Sequence, residues 1–262
     1  MATLWAAGEA YEPYVGRWSR RLAGPFLDWL AAPAGGFWLD VGCGTGALTA
    51  GILEHCTPRS VLGIDRSPGF LAWARRDLAD PRATFCLADA GALPVAPGQA
   101  DALACGLVLN FLSDPVAALA GMRSALRPGG RAGAFVWDYA GGMQMMRRFW
   151  DAAAEIDPEG AAGRDEALRF TLCRPDPLRE AFREAGFGGV AVEPLEIPTP
   201  FRDFKDYWSP FLAGGAPAPA YCRALEPRLR DALRERLRAT LPRTEDGQIP
   251  LTARAWMVSG TA

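Results

Sequence analysis

Along the first half of the chain, stretches with the hydrophobic pattern of a buried strand alternate with stretches that have the pattern of a helix. Short runs that are apolar on both faces predict buried strands, and apolar residues at helical spacing predict helices. The predicted strands lie at 37–41, 60–65, 83–88, 101–109 and 131–138. The predicted helices lie at 19–30, 46–56, 68–79 and 114–126. Because strands alternate with helices, we expect parallel β-α-β units in a sheet covered on both faces.

Local signals mark where several of these elements begin. Ser67 followed by Pro68 is typical of a helix N-cap with proline at the first helical position, and Asp114-Pro115 repeats the pattern. Residues 127–130, Arg-Pro-Gly-Gly, predict a stop for the helix at 114–126 and a turn into the fifth strand.

After Tyr139 the pattern changes. We expect helices at 142–156 and 176–185, strands at 188–197 and 249–259, and an ambiguous stretch at 157–173. The aromatic and arginine-rich stretch 198–245 is predicted to be mostly helical, with 213–220 as a mobile edge. Leucines at every fourth position from 225 to 241 predict an amphipathic helix with a solvated arginine face. Acids interleave with the arginines, which disfavours nucleic-acid binding.

Composition narrows the class of protein. Of 262 residues, 50% are hydrophobic and 22% charged, and the net charge of −2 gives no overall attraction to nucleic acid or membrane. The longest apolar run, 102–112, is too short to span a bilayer, and we see no signal peptide. None of the six cysteines forms C-x-x-C, so we expect buried thiols, a cytoplasmic location and no metal site.

The segment Trp38-Leu-Asp-Val-Gly-Cys-Gly-Thr-Gly46 predicts a strand, a tight turn and a helix N-terminus that hold a nucleotide-like ligand. With Ala47 it satisfies the G-x-G-x-x-G/A dinucleotide fingerprint. However, Asp40 stands two residues before the first glycine, where its carboxylate disfavours a pyrophosphate and favours a cation. A purely structural turn is the competing interpretation.

Two more acids end the next two strands. Asp65 stands where a carboxylate can accept from ribose hydroxyls, and Asp89 could accept from an adenine amino group or simply cap a backbone amide. A ligand with an ammonium group, a ribose and an adenine but no phosphate has the make-up of S-adenosylmethionine.

These motifs, together with Gly63-Ile-Asp-Arg-Ser67, Ala88-Asp-Ala90 and Leu126-Arg-Pro-Gly-Gly130, resemble those of class I S-adenosylmethionine-dependent methyltransferases. The subgroup they resemble contains the ubiquinone/menaquinone-biosynthesis-type enzymes, and the match covers about residues 36–140. The resemblance implies an α/β, Rossmann-like, seven-stranded and mostly parallel sheet with helices on both faces and an antiparallel last strand. Strands at 188–197 and 249–259 would complete it.

The resemblance also implies which residues bind the cofactor. Asp40 and the loop from Gly42 to Gly46 would contact its methionyl part, and Asp65 its ribose. The residues implied nearby are Cys43, Gly44, Arg66, Asp89, Ala90 and Leu107. From the residues themselves, Tyr14 and Arg17 could cover the cofactor and pair with its carboxylate, or could pack the N-terminal segment onto the domain.

Candidates for contact with the methyl acceptor are Asn110, Asp138 and Tyr139, although the first two could instead cap following helices. His55, the only histidine, is expected at a helix end, away from the site. An aromatic set could wall an apolar pocket or pack a cap: Phe149, Trp150, Phe170, Phe201, Phe204, Tyr207, Trp208 and Phe211.

The sequence thus predicts three parts: an N-terminal helical segment at 1–35, a cofactor-binding core at 36–140, and a completion of the sheet at 141–262 with a helical lid at 198–245. We expect methyl transfer to an O, N or C nucleophile of a small, partly apolar molecule. The Asn/Asp-Pro-Pro-Tyr signature is absent, which disfavours methylation of DNA adenine or glutamine. The alternatives are an NAD-dependent oxidoreductase, which Asp40 and Asp89 oppose, and a non-catalytic cofactor-binding protein.

Overall fold

The computed structural model describes residues 16–213 and 216–262, which contain a seven-stranded sheet. Its strands are β1 (Phe37–Val41), β2 (Ser60–Asp65), β3 (Ala83–Leu87), β4 (Ala100–Gly106), β5 (Leu126–Trp137), β6 (Gly188–Pro198) and β7 (Thr252–Thr261). Their order across the sheet is β3-β2-β1-β4-β5-β7-β6. A central β1 with crossovers to both sides is the arrangement that repeated β-α-β units produce.

Helices occupy most of the connections between strands. They are α1 (Arg17–Leu30), α2 (Ala47–His55), α3 (Pro68–Asp77), α4 (Pro115–Ala125), α5 (Gln144–Ile156), α6 (Pro158–Ala161), α7 (Glu166–Arg169), α8 (Pro175–Glu184), α9 (Phe204–Trp208), α10 (Pro217–Ala224) and α11 (Pro227–Thr240). Short 3₁₀ helices cover Leu109–Phe111 and Ser209–Leu212.

The sheet is mostly parallel, as expected. The pairings β1–β2, β2–β3, β1–β4 and β4–β5 are all parallel. The last strand runs the other way: Gly129 N–H donates to the carbonyl of Ala262, and Asp138 N–H donates to the carbonyl of Arg254. Residue numbers increase along β5 while those of the paired residues decrease along β7, so β7 is antiparallel to β5. The predicted fold class is confirmed.

The chain divides into two compact units that interleave along the sequence. Of the described residues, the first unit contains 16–18, 137–171, 196–213 and 216–255, and the second contains 19–136, 172–195 and 256–262. The core of the second unit is formed by buried strand residues such as Trp38, Leu39, Val61 and Leu103. The core of the first unit is built largely from aromatic side chains.

Three predicted strands differ from the structure by three or more residues at one end. β4 ends at Gly106 and not at 109, because Leu107 adopts a positive φ of 61° that leaves the strand conformation. β5 begins at Leu126, five residues before the predicted 131, because the Arg-Pro-Gly-Gly stretch forms a bulge between two paired positions.

The third of these strands, β7, begins at Thr252 and not at 249. Ile249 forms an isolated antiparallel bridge with Phe201, and Pro250 has no N–H to continue the ladder.

The predicted capping residues are confirmed. Ser67 Oγ accepts from Phe70 N at 3.3 Å at the start of α3, and Asp114 Oδ1 accepts from Ala117 N at 2.9 Å at the start of α4. The ambiguous stretch 157–173 contains α6 and α7, each with an aspartate at its N-cap. The mostly helical prediction for 198–245 is also confirmed. Across the described ranges, no helix has both the length and the apolar character that a bilayer crossing requires.

Candidate active site

The glycine loop between β1 and α2 has a backbone that glycine alone adopts easily. Gly42, Gly44 and Gly46 have φ values of +75°, +54° and +89°. A Cβ on Gly42 would lie 2.2 Å from Val108 Cγ2, whereas a Cβ on Gly44 would meet no atom within 4 Å. The loop therefore needs a glycine at 42 for packing, and at 44 it leaves open space beside the main chain.

Asp65, at the end of β2, lies against this loop. Its Oδ2 accepts from Gly44 N at 3.0 Å and its Oδ1 accepts from Ser67 N at 2.7 Å. A carboxylate has about four lone-pair positions, so two remain for further donors. The structure thus brings the second predicted acid to the glycine loop, as adjacent parallel strands require.

Asp40 is fully buried beneath the loop. Thr49 Oγ1 donates to its Oδ2 at 2.6 Å, and its Oδ1 has no hydrogen-bond partner in the part of the chain that the structure describes. Burial, with a smaller contribution from the charge of Asp65, raises the pKa of Asp40 to about 7, although the Thr49 hydrogen bond lowers it. A buried carboxylate oxygen without a partner can accept from a cationic or N–H group of a ligand.

Cys43, within the loop, is a buried thiol whose pKa burial raises far above its ordinary value, and the charge of Asp40 adds to the rise. The same two causes raise the pKa of Cys105 on β4. Both thiols therefore stay protonated, and neither is an activated nucleophile.

The remaining residues predicted to bind the cofactor lie at the ends of β2, β3 and β4. Arg66 and Asp89 are exposed, and Ala90 and Leu107 are half-buried. Asp89 Oδ1 accepts from Gly91 N at 2.8 Å, so this carboxylate does make the backbone contact that the competing interpretation expected.

The acceptor-side candidates differ in their environments. Asn110 lies in the 3₁₀ helix after β4, and it does not cap α4, because Asp114 does. Its Nδ2 is buried and has no partner among the described residues. Asp138 accepts from Gly141 N at 3.0 Å and from Arg254 Nε at 2.8 Å, and Tyr139 packs against Phe170 at 5.3 Å between ring centroids.

Arg17, in the first unit, is held by its neighbours. Its Nη1 donates to Asp206 Oδ1 at 2.9 Å, and its guanidinium lies over the rings of Trp18 and Phe201 at 4.5 and 4.7 Å. These contacts agree with the alternative in which Arg17 packs the N-terminal segment onto its neighbours. Tyr14 lies outside the described residues.

His55 occupies the last turn of α2, as predicted, and its Nδ1 lies 3.2 Å from Asp28 Oδ1.

The aromatic residues of the first unit pack mainly against one another, as the cap-packing interpretation expected. Phe149 stacks on Phe211 at 4.3 Å and meets Trp150 edge-on at 5.2 Å. All but Phe170 of the eight predicted members are buried.

Polar contacts around this aromatic core were missed at the sequence level. Trp150 Nε1 donates to the buried Glu166, Arg147 pairs with Asp165, and Tyr221 donates to Asp157. The Asp157-Pro158 pair is a helix-start signal and could have located α6, but no local signal identifies the partners. In the described ranges, no group of three or more His, Cys, Asp or Glu side chains could hold a metal ion.

Comparison with known proteins places this site in a family. Residues 39–133 match the Methyltransf_11 family model, described as a methyltransferase domain. A trans-aconitate 2-methyltransferase from Methylobacterium radiotolerans is 34% identical over 204 residues, which cover 72% of this chain and 76% of that protein. A 37.1 kDa protein encoded in transposon Tn4556 of Streptomyces fradiae is 36% identical over 68% of this chain, and the chain spans half of that protein's length.

A solved structure agrees with these matches at the level of fold. The crystal structure of a methyltransferase from an antibiotic biosynthesis pathway of Anabaena variabilis superposes with a TM-score of 0.64 at 17% identity, covering 92% of this chain and 97% of that one. The family model and the trans-aconitate 2-methyltransferase, which aligns over 76% of its own length, together assign this chain to a family. The chain belongs to the class I S-adenosylmethionine-dependent methyltransferases, whose cofactor is S-adenosylmethionine.

Proposed function

We propose that this protein transfers a methyl group from S-adenosylmethionine to a nucleophilic O, N or C atom of a small, partly apolar molecule. The observation that supports this most is the arrangement around the glycine loop. An open space beside Gly44, a carboxylate with spare lone pairs at Asp65 and an unpartnered buried oxygen on Asp40 occur together in the second unit.

The donor set fits this cofactor. We propose that Asp40 Oδ1 accepts from the methionyl ammonium group, and that Gly42, Cys43, Gly44 and Gly46 border the same part. Asp65 would take the ribose hydroxyls with its spare lone pairs. Asp89 and Ala90, with Arg66 and Leu107, would border the adenine and the sulfur.

The chemistry that S-adenosylmethionine supplies when bound is a methyl group on a positively charged sulfur, a good leaving group. The protein's own residues then have a modest task. Asp65 and Asp40 fix the position of the donor, and the glycine loop lets the main chain approach it. Holding donor and acceptor in line removes much of the entropy cost of the reaction, so a strong protein acid or base is not required.

We further propose that the helical stretch 198–245 forms a lid for the acceptor. Its aromatic residues Phe204, Tyr207, Trp208 and Phe211 are buried within the first unit and form part of that unit's apolar core, which supports the lid from within. The net charge of −2 and the acids that interleave with the arginines of this stretch favour a small molecule over a nucleic acid as the acceptor.

A binding experiment separates this function from the dinucleotide alternative. Calorimetry on the full chain should show uptake of S-adenosylhomocysteine and no uptake of NAD, because the carboxylate of Asp40 disfavours a pyrophosphate beside the loop. Mass spectrometry should then detect methylated product from S-adenosylmethionine and a library of small carboxylates, phenols and amines. Binding of NAD in preference to S-adenosylhomocysteine would contradict the proposal, and binding without turnover would favour the non-catalytic alternative.

A further inference from the structure

The segment that leaves β4 lies directly against the glycine loop. Leu107 adopts φ of 61°, and its N–H donates to the carbonyl of Phe135 at 2.8 Å. Val108 fills the space beside Gly42, since a Cβ there would be 2.2 Å from Val108 Cγ2. A left-handed conformation is strained for a leucine, and such strain concentrates at functional sites.

Two residues later, this segment carries the only asparagine in the sequence. The Nδ2 of Asn110 is buried and donates to no atom of the described residues, and the asparagine caps no helix. A buried donor without an acceptor has a cost in free energy, because its hydration is lost and no hydrogen bond replaces it. A bound molecule that supplies an acceptor atom at this place would recover that cost.

We propose that Asn110 Nδ2 donates a hydrogen bond to the oxygen atom that receives the methyl group, and that the acceptor is therefore an anionic oxygen compound, a small carboxylate. This inference rests on the proposed function and narrows it. A hydrogen-bond donor suits an oxygen that keeps lone pairs throughout the reaction. An amine nitrogen has only one lone pair, and the new bond to carbon uses it.

The reaction balances without a protein base. The carboxylate oxygen gives one electron pair to the methyl carbon, the carbon–sulfur bond breaks, and its electron pair remains on sulfur. One negative and one positive charge become a neutral ester and a neutral thioether, and no proton moves. This agrees with the placement of the only histidine, His55, beside Asp28 at the end of α2. Asn110 would position the oxygen and orient its second lone pair.

The test uses the full chain and an acceptor panel. The panel contains aliphatic and aromatic carboxylates, including trans-aconitate and cinnamate, together with primary amines of matched size. The wild type is compared with Asn110→Ala and Asn110→Asp, and Gln99→Ala removes an exposed amide as the matched control. Product is identified by mass spectrometry, kcat and KM are measured for the best acceptor, and calorimetry gives the affinity for S-adenosylhomocysteine.

We expect methyl esters from the wild type and a loss of about 10- to 100-fold in kcat/KM for Asn110→Ala, the usual effect of removing a hydrogen bond to a charged group. Asn110→Asp should lose more, because its carboxylate repels the acceptor. Both variants and the control should bind S-adenosylhomocysteine within about twofold of the wild type, because the substitutions leave the fold and the residues proposed to bind the cofactor unchanged.

Three results would overturn the inference: no carboxylate in the panel is methylated, Asn110→Ala retains the wild-type kcat/KM, or both Asn110 variants lose S-adenosylhomocysteine binding. Methylation of amines alone would overturn it while leaving the proposed function intact. Failure of the wild type to bind S-adenosylhomocysteine would overturn the proposed function itself.

Discussion

At the scale of single residues, the site depends on two carboxylates in different surroundings. Asp65 is half-buried and already accepts from two backbone N–H groups, at Gly44 and Ser67. Asp40 is buried, with one oxygen on Thr49 and the other unpartnered. The sequence predicted that both acids belong to the site, but it gave no sign that Asp40 would be buried on a threonine nine residues later.

Replacing Asp65 should weaken cofactor binding. We expect Asp65→Ala to lower the affinity for S-adenosylhomocysteine roughly 100-fold, because two hydrogen bonds from ribose hydroxyls to a charged group are lost. Calorimetry measures the change. Asp77→Asn, on the exposed face of α3, is the matched control and should bind as the wild type does. An unchanged affinity in Asp65→Ala would remove Asp65 from the binding site.

Asp40 should make stability depend on pH. Its pKa is about 7 in the folded protein against an ordinary 3.8, so the folded state favours the protonated acid. That contribution is complete below the ordinary pKa and is lost as pH rises through about 7. Between pH 4 and 8 we expect the wild type to lose more unfolding free energy than Asp40→Asn, by on the order of 4 kcal/mol.

Urea unfolding at several pH values measures this difference. Thr49→Val should enlarge the loss, because it removes the hydrogen bond that lowers the pKa of Asp40. Parallel pH profiles for the wild type and Asp40→Asn would show that Asp40 has an ordinary pKa.

At the scale of elements, local sequence patterns predicted the boundaries that are set by residues close in sequence, and missed those set by backbone strain or by distant contacts. β1 and β2 were predicted to the residue because their apolar runs are bounded by glycine or by a helix cap. The end of β4 was missed because nothing in a leucine indicates a positive φ. The contact between Asp138 and Arg254 joins positions 116 residues apart, which no local pattern encodes.

The loop glycines should differ in their tolerance of alanine. Gly42→Ala should cost more than about 3 kcal/mol, because an unfavourable φ adds to the overlap with Val108. Gly44→Ala should cost only about 1–2 kcal/mol, yet weaken S-adenosylhomocysteine binding, since its Cβ enters the open space beside the loop. Urea unfolding and calorimetry measure the two effects.

A double variant identifies the cause of the Gly42 effect. Val108→Ala in the Gly42→Ala background should recover part of the lost stability, because it removes the overlapping methyl groups. Strictly additive losses would place the strain in the backbone alone.

At the scale of the whole molecule, ligand binding should stabilise the folded chain. S-adenosylhomocysteine at about 100 times its Kd should add about 2.7 kcal/mol to the unfolding free energy. For a chain of this size, that corresponds to a rise in Tm of about 5–10 °C. NAD at the same concentration should leave Tm unchanged. Differential scanning calorimetry decides between them, and an equal rise with both ligands would contradict the assignment of the site.

The raised pKa of Asp40 has a consequence for every measurement of cofactor binding to this protein. Near neutral pH the empty site is partly protonated, while an ammonium group against Oδ1 favours the ionised acid. Uptake of the donor should then release part of a proton to the medium. The measured heat should accordingly differ between Tris and phosphate by an amount set by their ionisation enthalpies, and Asp40→Asn should abolish that difference.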